Sequence, residues 1–333
     1  MKRNVMKKTV MMCVSICLLA GMIPASALSW GDATHAYISD GLKTHVGHEN
    51  RNQLWGSLGP DIFNYIFDPA LCPAWMADQT HGATDDSFMK VWNAAGTASE
   101  KALALGFVSH NELWGADFTA HISGLTFGHD WGYINEKAIV LLNTSLNGAV
   151  SSDPQLNPTF GEIFAGIGMN EEQQLIVAHV IVEYAIDTML VKDVSHFNGQ
   201  KVSSAARHRG PEFPGLLVNA FAADYAANCF GGDGATAAYI ITAAEEAYRD
   251  AMISYGRIIS RPERIAVKLI AEQIVALAPD FLGGSLPVPE EDVISIVRAA
   301  IYASMEVCDD YLTEINATIQ FVGENLIHHG ISY

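Results

Sequence analysis

Eight side chains of metal-ligand type fall between Trp30 and the middle of the chain: His35, Asp61, His81, His110, Asp117, His121, His179 and Glu183. Imidazole and carboxylate groups together suit a cation such as zinc, and a bound zinc ion activates water for hydrolysis. Their spacing argues for a shared task. Asp117 and His121 lie seven and eleven residues after His110, which at about 100° per residue predicts one helix face carrying all three. His179 and Glu183 stand at i, i+4 among Leu175, Ile176, Val177, Ile181, Val182 and Ile186. Two such side chains can reach the same ion from a largely buried helix. Burying an acid and an imidazole is costly unless each is paired or coordinating.

Two shorter pieces precede these: Trp30-Gly-Asp-Ala-Thr-His35, and Gly56-Ser-Leu-Gly-Pro-Asp61 with His81 twenty residues later. Taken alone, Gly59-Pro60-Asp61 reads as a turn in which Asp61 caps a helix. Glu112, Trp114, His129 and Asp130 are further polar or aromatic candidates near the site, whereas His45, His48, His196 and His208 read as surface residues.

The elements that must position these groups are helices. Apolar residues recur three and four apart over Glu100–Leu125, Glu171–Val191, Ala235–Ile259, Arg264–Ala278 and Glu290–Ile327, and alternating strand patterns are scarce. Pro262 and Pro289-Glu290-Glu291 mark helix starts, and Gly231-Gly232 and Gly283-Gly284 punctuate between helices. The expected class is all-α. Asn143–Pro158 and Val194–Pro214 read as surface loops, the second being the best place for any boundary.

The first residues carry Lys2, Arg3, Lys7 and Lys8, then an apolar run from Thr9 to Ile23 and small residues at Ala25, Ser26 and Ala27. This is the pattern of a secretory signal peptide, expected over 1–29, and small-residue preference permits cleavage before Trp30 or before Leu28. Export, to a periplasm or out of the cell, follows. The formal net charge of −18 becomes more negative once those four bases leave, so a stable nucleic-acid complex on a basic surface is not expected. Bound divalent cations would reverse that field locally. Cys72, Cys229 and Cys308 remain after the leader; they allow one disulfide and one thiol, or three buried thiols.

Taken in order, Trp30, His35, Pro60-Asp61, His81, His110, Asp117, His121, His179 and Glu183 resemble the ligand series of the bacterial zinc-dependent phospholipase C family. More distantly they are similar to the single-strand-specific zinc nucleases of plants and fungi. The resemblance implies a multi-helix bundle around a trinuclear site holding up to three Zn2+. It implies that Trp30, once freed, binds zinc through its amine and carbonyl oxygen, with His35 as the next ligand. Asp61, His81 and His110 would serve the first zinc, Asp117 would bridge two, and His121, His179 and Glu183 would hold the remaining one. Asp61 is also the catalytic candidate, orienting or deprotonating the attacking water.

The match covers roughly residues 30–187. In the family the bridging aspartate follows its histidine by four residues, where this chain has Trp114, so an extra helical turn is expected before Asp117. Asp61 and His81 are also further apart than is usual there. The implied organisation is a zinc-binding catalytic region over 30–193 and a helical C-terminal region over 194–333 packed on the same domain. The implied activity is hydrolysis of a phospholipid or similar phosphodiester by a monomer in transient contact with a membrane surface. The alternatives are a related nuclease or nucleotidase, favoured by the Trp30-to-His35 spacing, and a non-catalytic zinc-binding exported protein.

Overall fold

The computed structural model describes residues 29–331 apart from 67, 83, 147–156 and 283–285. The leader, the alternative cleavage point before Leu28, the middle of the Asn143–Pro158 segment and Gly283-Gly284 lie outside the described residues. Among the described residues helix dominates and no strand forms; one isolated bridge pairs Ser145 with Thr159. The chain is all-α, as expected.

The helices in chain order are α1 (Asp32–Gly41), α2 (Gly47–Ser57), α3 (Pro73–His81), α4 (Met89–Ala94), α5 (Ala98–Val108), α6 (Tyr133–Leu142) and α7 (Phe160–Gly166). They continue as α8 (Glu171–Met189), α9 (Asn198–His208), α10 (Phe213–Cys229), α11 (Gly234–Ile259), α12 (Glu263–Leu282), α13 (Glu290–Val307) and α14 (Tyr311–His328). Starts are fixed by local chemistry. Thr97 and Glu100, Thr159 and Glu162, and Asn170 and Gln173 form reciprocal capping boxes at α5, α7 and α8, each satisfying two otherwise orphaned N–H donors. Asp233 accepts from Ala235 and Thr236 at the start of α11.

Three sequence expectations change. The segment expected as one helix over Glu100–Leu125 stops at Val108, and the chain re-forms a π-type turn only at Phe118–Ile122. The run over Glu290–Ile327 is two helices broken at 308–310. The second expected loop, Val194–Pro214, contains α9, which packs between α2 and α11.

The buried apolar cluster is continuous from Trp30 to Ile331. Helix α2 crosses α5 at Gly56 and Gly106, where an added Cβ would lie 1.9 Å from the Leu103 carbonyl oxygen and 2.0 Å from that of Gln53. That close approach sets the end of α2 against the end of α5, the two places from which Asp61 and His110 depart. Helix α8 packs against α6 and α13. By length and hydropathy Glu171–Val194 could cross a membrane, but two-thirds of its apolar window is buried inside the bundle.

Candidate metal centre

Each site residue sits at the end or on the inner face of a short element. His35 is on the first turn of α1, whose opening N–H groups at Ala33 and Thr34 are capped by the Asp187 carboxylate from α8 at 2.9 and 2.8 Å. Asp61 lies in a 3-10 turn over Gly59–Tyr65, with its Oδ1 accepting from Asn64 Nδ2 at 2.8 Å. It does not cap a helix backbone. His81 is the last residue of α3, closed by Gly82 in the left-handed region at φ 71°.

His110 and Asp117 do not share a helix face. After α5 the chain makes an excursion, with the Asn111 side chain accepting from the Leu113 and Trp114 N–H groups at 2.9 Å each. It returns through backbone bonds from Ala116 N to Ser109 O (2.9 Å) and Asp117 N to His110 O (2.7 Å). The extra residues form a loop and not an added helical turn, and the loop's closure still brings Asp117 against His110.

The result is a buried cluster of five groups. Asp117 Oδ2 lies 2.8 Å from His110 Nε2 and 3.9 Å from His81 Nε2, and Asp117 Oδ1 lies 3.1 Å from His35 Nε2. Asp61 Oδ1 lies 3.3 Å from His81 Nε2 and 3.8 Å from His110 Nε2. The His35 and His110 rings stack at 3.9 Å. Around a tetrahedral ion with bonds of 2.0–2.1 Å, ligand atoms stand roughly 3.3 Å apart, and these separations bracket that value. Two sets of three ligand atoms, from His35, Asp61 and His110 and from His81, His110 and Asp117, each lie within 4.8 Å of one another.

The remaining expected ligands gather separately. His179 Nε2 lies 2.8 Å from Glu183 Oε1 one turn along α8, and the His121 and His179 rings are 5.2 Å apart. Glu183 Oε1 also accepts the Ser29 backbone N–H at 2.9 Å. Trp30 is wholly buried; its indole N–H reaches the Ala116 carbonyl and the Thr119 hydroxyl, and its ring stacks on Tyr133 at 5.4 Å.

Whether these groups fit a metal ion is tested by their unused atoms. His35, His110, His121 and His179 each have a buried Nε2 without a hydrogen bond, and neither Asp117 oxygen has one. Four imidazoles are held by the other nitrogen: His110 Nδ1 by the Ser57 carbonyl at 2.8 Å, His81 Nδ1 by the Ala77 carbonyl at 2.9 Å, His121 Nδ1 by Glu112 at 3.1 Å and His179 Nδ1 by Asn135 at 3.0 Å. A proton fixed at Nδ1 leaves the Nε2 lone pair for a cation, the arrangement by which supporting groups aim metal-binding histidines. His35, Asp61, His81, His110 and Asp117 could hold a metal ion.

No family model, curated protein or solved structure matches the chain.

Without an ion, protons take up the charge. Burial opposes an imidazolium at His110, yet Asp117 and Asp61 outweigh it and raise its pKa to about 9. Burial likewise opposes the Asp117 anion, but His110 and His35 hold it well below the ordinary carboxylate value. His35 is lowered by burial and by the charge on His110. Burial keeps the second pair uncharged, pushing His179 well down and Glu183 well up.

Other candidates fall in different places. Glu112 orients His121. Trp114 stacks on His329 at 4.7 Å and meets the Phe88 edge, so its ring is packing. His129 and Asp130 are exposed, His129 being bonded to the Gly124 carbonyl. His48, His196 and His208 are exposed, and His45 is half-buried against Gln53. Two contributors escaped the sequence reading. Asn135 leaves no local signature, whereas Asp187 continues the His179–Glu183 face of α8 by one more turn and could have been found by extending that spacing.

Proposed function

We propose that this chain is an exported zinc-dependent phosphodiesterase of the phospholipase C-like type. The observation that carries the reading is the pair of orphaned Asp117 oxygens facing the Nε2 atoms of His110 and His35, with His110 and His81 aimed from behind through Nδ1. His35, Asp61, His81, His110 and Asp117 would hold the principal ions, with His121, His179 and Glu183 the ligands of a further one. Zinc bound there would supply a water of near-neutral pKa and positive charge to offset the phosphoryl oxygens.

The chain's own residues divide the remaining work. The Asp117 side chain is closed to solvent, while that of Asp61 remains 8% exposed. Asp61 is therefore the carboxylate of this cluster that can meet a water or a substrate, and Asn64 fixes its Oδ1. It accepts the proton of the attacking water at its carboxylate. Ser29 donates its N–H to Glu183 and its hydroxyl to the Trp30 carbonyl oxygen at 2.7 Å. Cleavage after Ser29 would free both oxygens and create the Trp30 amine.

The test is hydrolysis of phosphatidylcholine vesicles and of single-stranded DNA by the purified zinc-loaded protein. Release of phosphocholine is expected, and Asp61→Asn should lower kcat by about 10²–10⁴. The Trp30-to-His35 spacing favours the nuclease as second reading, and cleavage of DNA alone would establish it in place of the lipase. Bound zinc with no hydrolysis of either would leave a non-catalytic metal protein.

A further inference from the structure

Away from the metal centre, two thiols from distant parts of the chain meet. Cys72 follows a 3-10 turn over Pro69–Leu71 and opens α3, with its carbonyl accepting from Met76 at 3.2 Å. Cys229 is the last residue of α10. The two thiols lie close enough for Cys72 to bear on the acidity of Cys229, and both residues are half-buried, unlike Cys308, which is fully enclosed.

The backbones on either side are already fixed. Tyr225, one turn before Cys229, donates its hydroxyl to the Leu71 carbonyl, the residue before Cys72. The same ring stacks in parallel on Trp75 at 5.8 Å and is met edge-on by Phe230 at 4.8 Å. Cys72 itself holds a left-handed backbone at φ 48°, unusual for a residue with a Cβ. These contacts approximate the thiols before any covalent bond forms.

We infer that Cys72 and Cys229 are an oxidation site that closes as an intramolecular disulfide. The oxidant is a small or protein disulfide of the kind found in the compartments to which signal peptides lead. One thiolate attacks that disulfide and expels one thiolate of the oxidant. The second cysteine then attacks the mixed disulfide and expels the other partner, so the two cysteines lose two protons and two electrons and the oxidant gains them.

The bond would tie the connector between Asp61 and His81, at the start of the helix that carries His81, to α10. It would also be slow to open. Burial and the contact with Cys72 push the Cys229 thiol up to about 12, and a basic thiolate is a poor leaving group in reductive exchange.

The experiment incubates the folded, metal-loaded chain freed of its leader, residues 1–29, with glutathione disulfide, alkylates remaining thiols after unfolding without reductant, and maps the peptides. The expected result is loss of two of the three thiols, a product lighter by two hydrogens, a Cys72–Cys229 linked peptide and an alkylated Cys308. The oxidised form should melt roughly 5–10 °C higher than the reduced form. Cys229→Ser and Cys72→Ser should each give a stable glutathione adduct on the surviving partner. Stable adducts on both cysteines of the unmodified chain, full alkylation of both, or a link to Cys308 would overturn the assignment.

Discussion

Asp117 donates its backbone N–H to the carbonyl oxygen of His110 across 2.7 Å, although seven positions separate them. The chain leaves α5, turns through Asn111–Gly115 and re-enters beside its point of departure. An acid and an imidazole that no regular helix would bring together are thereby set 2.8 Å apart through their side chains.

Gly115 closes the base of that excursion, where a Cβ would lie 2.5 Å from the Asn111 nitrogen and 2.6 Å from its oxygen. Gly115→Ala is expected to cost about 1–3 kcal/mol, as overpacking does. Asn111→Ala, which strips the acceptor from two N–H groups, should cost about 1–2 kcal/mol. Thermal melts check both, and an unchanged midpoint in both variants would mean that the loop is not held by these contacts.

Removal of metal should unfold the protein more readily. A ligand present at about a thousand times its Kd stabilises by about 4 kcal/mol, so chelation should lower the melting midpoint by several degrees. Asp117→Ala and His110→Ala should lose metal measured by elemental analysis, whereas His208→Ala, on the surface, should keep it. Equal metal content in all three variants would place the ion elsewhere.

The metal-free protein should lose stability as pH rises above neutrality. His110 is raised to about 9, burial being outweighed by Asp117 and Asp61, and Asp32 is raised to about 8 by burial and then by Asp61. Both folded values exceed the unfolded ones, so the contribution of each is complete below its unfolded pKa and disappears as pH climbs through its folded value. Across the window from about 6.5 to 8 the two slopes have the same sign. For the fully buried His110 the loss by pH 9 is at most about 3 kcal/mol, at 1.36 kcal/mol per unit. Urea midpoints of the chelated protein at pH 6.5 and 9 measure this; a midpoint that rises would contradict the protonated His110.

Asp187 ties α8 to the start of α1. Its carboxylate accepts from the Ala33 and Thr34 N–H groups, the Thr34 hydroxyl at 2.7 Å and the Tyr255 hydroxyl at 2.6 Å. Asp187→Ala should destabilise by about 2–4 kcal/mol, combining a lost cap with unsatisfied buried donors. Because His35 rides on that turn, metal affinity should fall as well. A variant that melts lower but binds metal as before would confine Asp187 to stability.

The two stretches that carry chemistry were legible to different degrees, and the reason is physical. His179 and Glu183 lie on an uninterrupted helix, so their i, i+4 spacing translates directly into proximity. The His110–Asp117–His121 stretch keeps helical apolar spacing because Leu113, Trp114 and Phe118 continue the rhythm of α5. A side-chain bond from Asn111 and a close contact at Gly115 break the helix without disturbing that rhythm. Helix α9 hid for the opposite reason: its buried side is made of Gly199, Val202, Ser203, Ala205 and Ala206, residues too small or polar to mark a stripe. The split at 308–310 was likewise concealed by apolar spacing that stays in phase on both sides. Which groups hold the histidines from behind depends on contacts between elements, and Asn135 and the Ser57 carbonyl carry no mark of that in sequence.

Glu314, on α14, accepts the Leu125 and Thr126 N–H groups at 2.6 and 2.7 Å, and Thr318 meets Thr119, which in turn receives the Trp30 indole N–H. The last described helix therefore fastens both the stretch that follows His121 and the residue next to Ser29. During synthesis the ribosome would release every expected metal ligand well before it releases α14. A nascent chain could thus hold every expected metal ligand and still lack the clasp that sets their positions, so the order in which the ligands are made is not the order in which the site is completed.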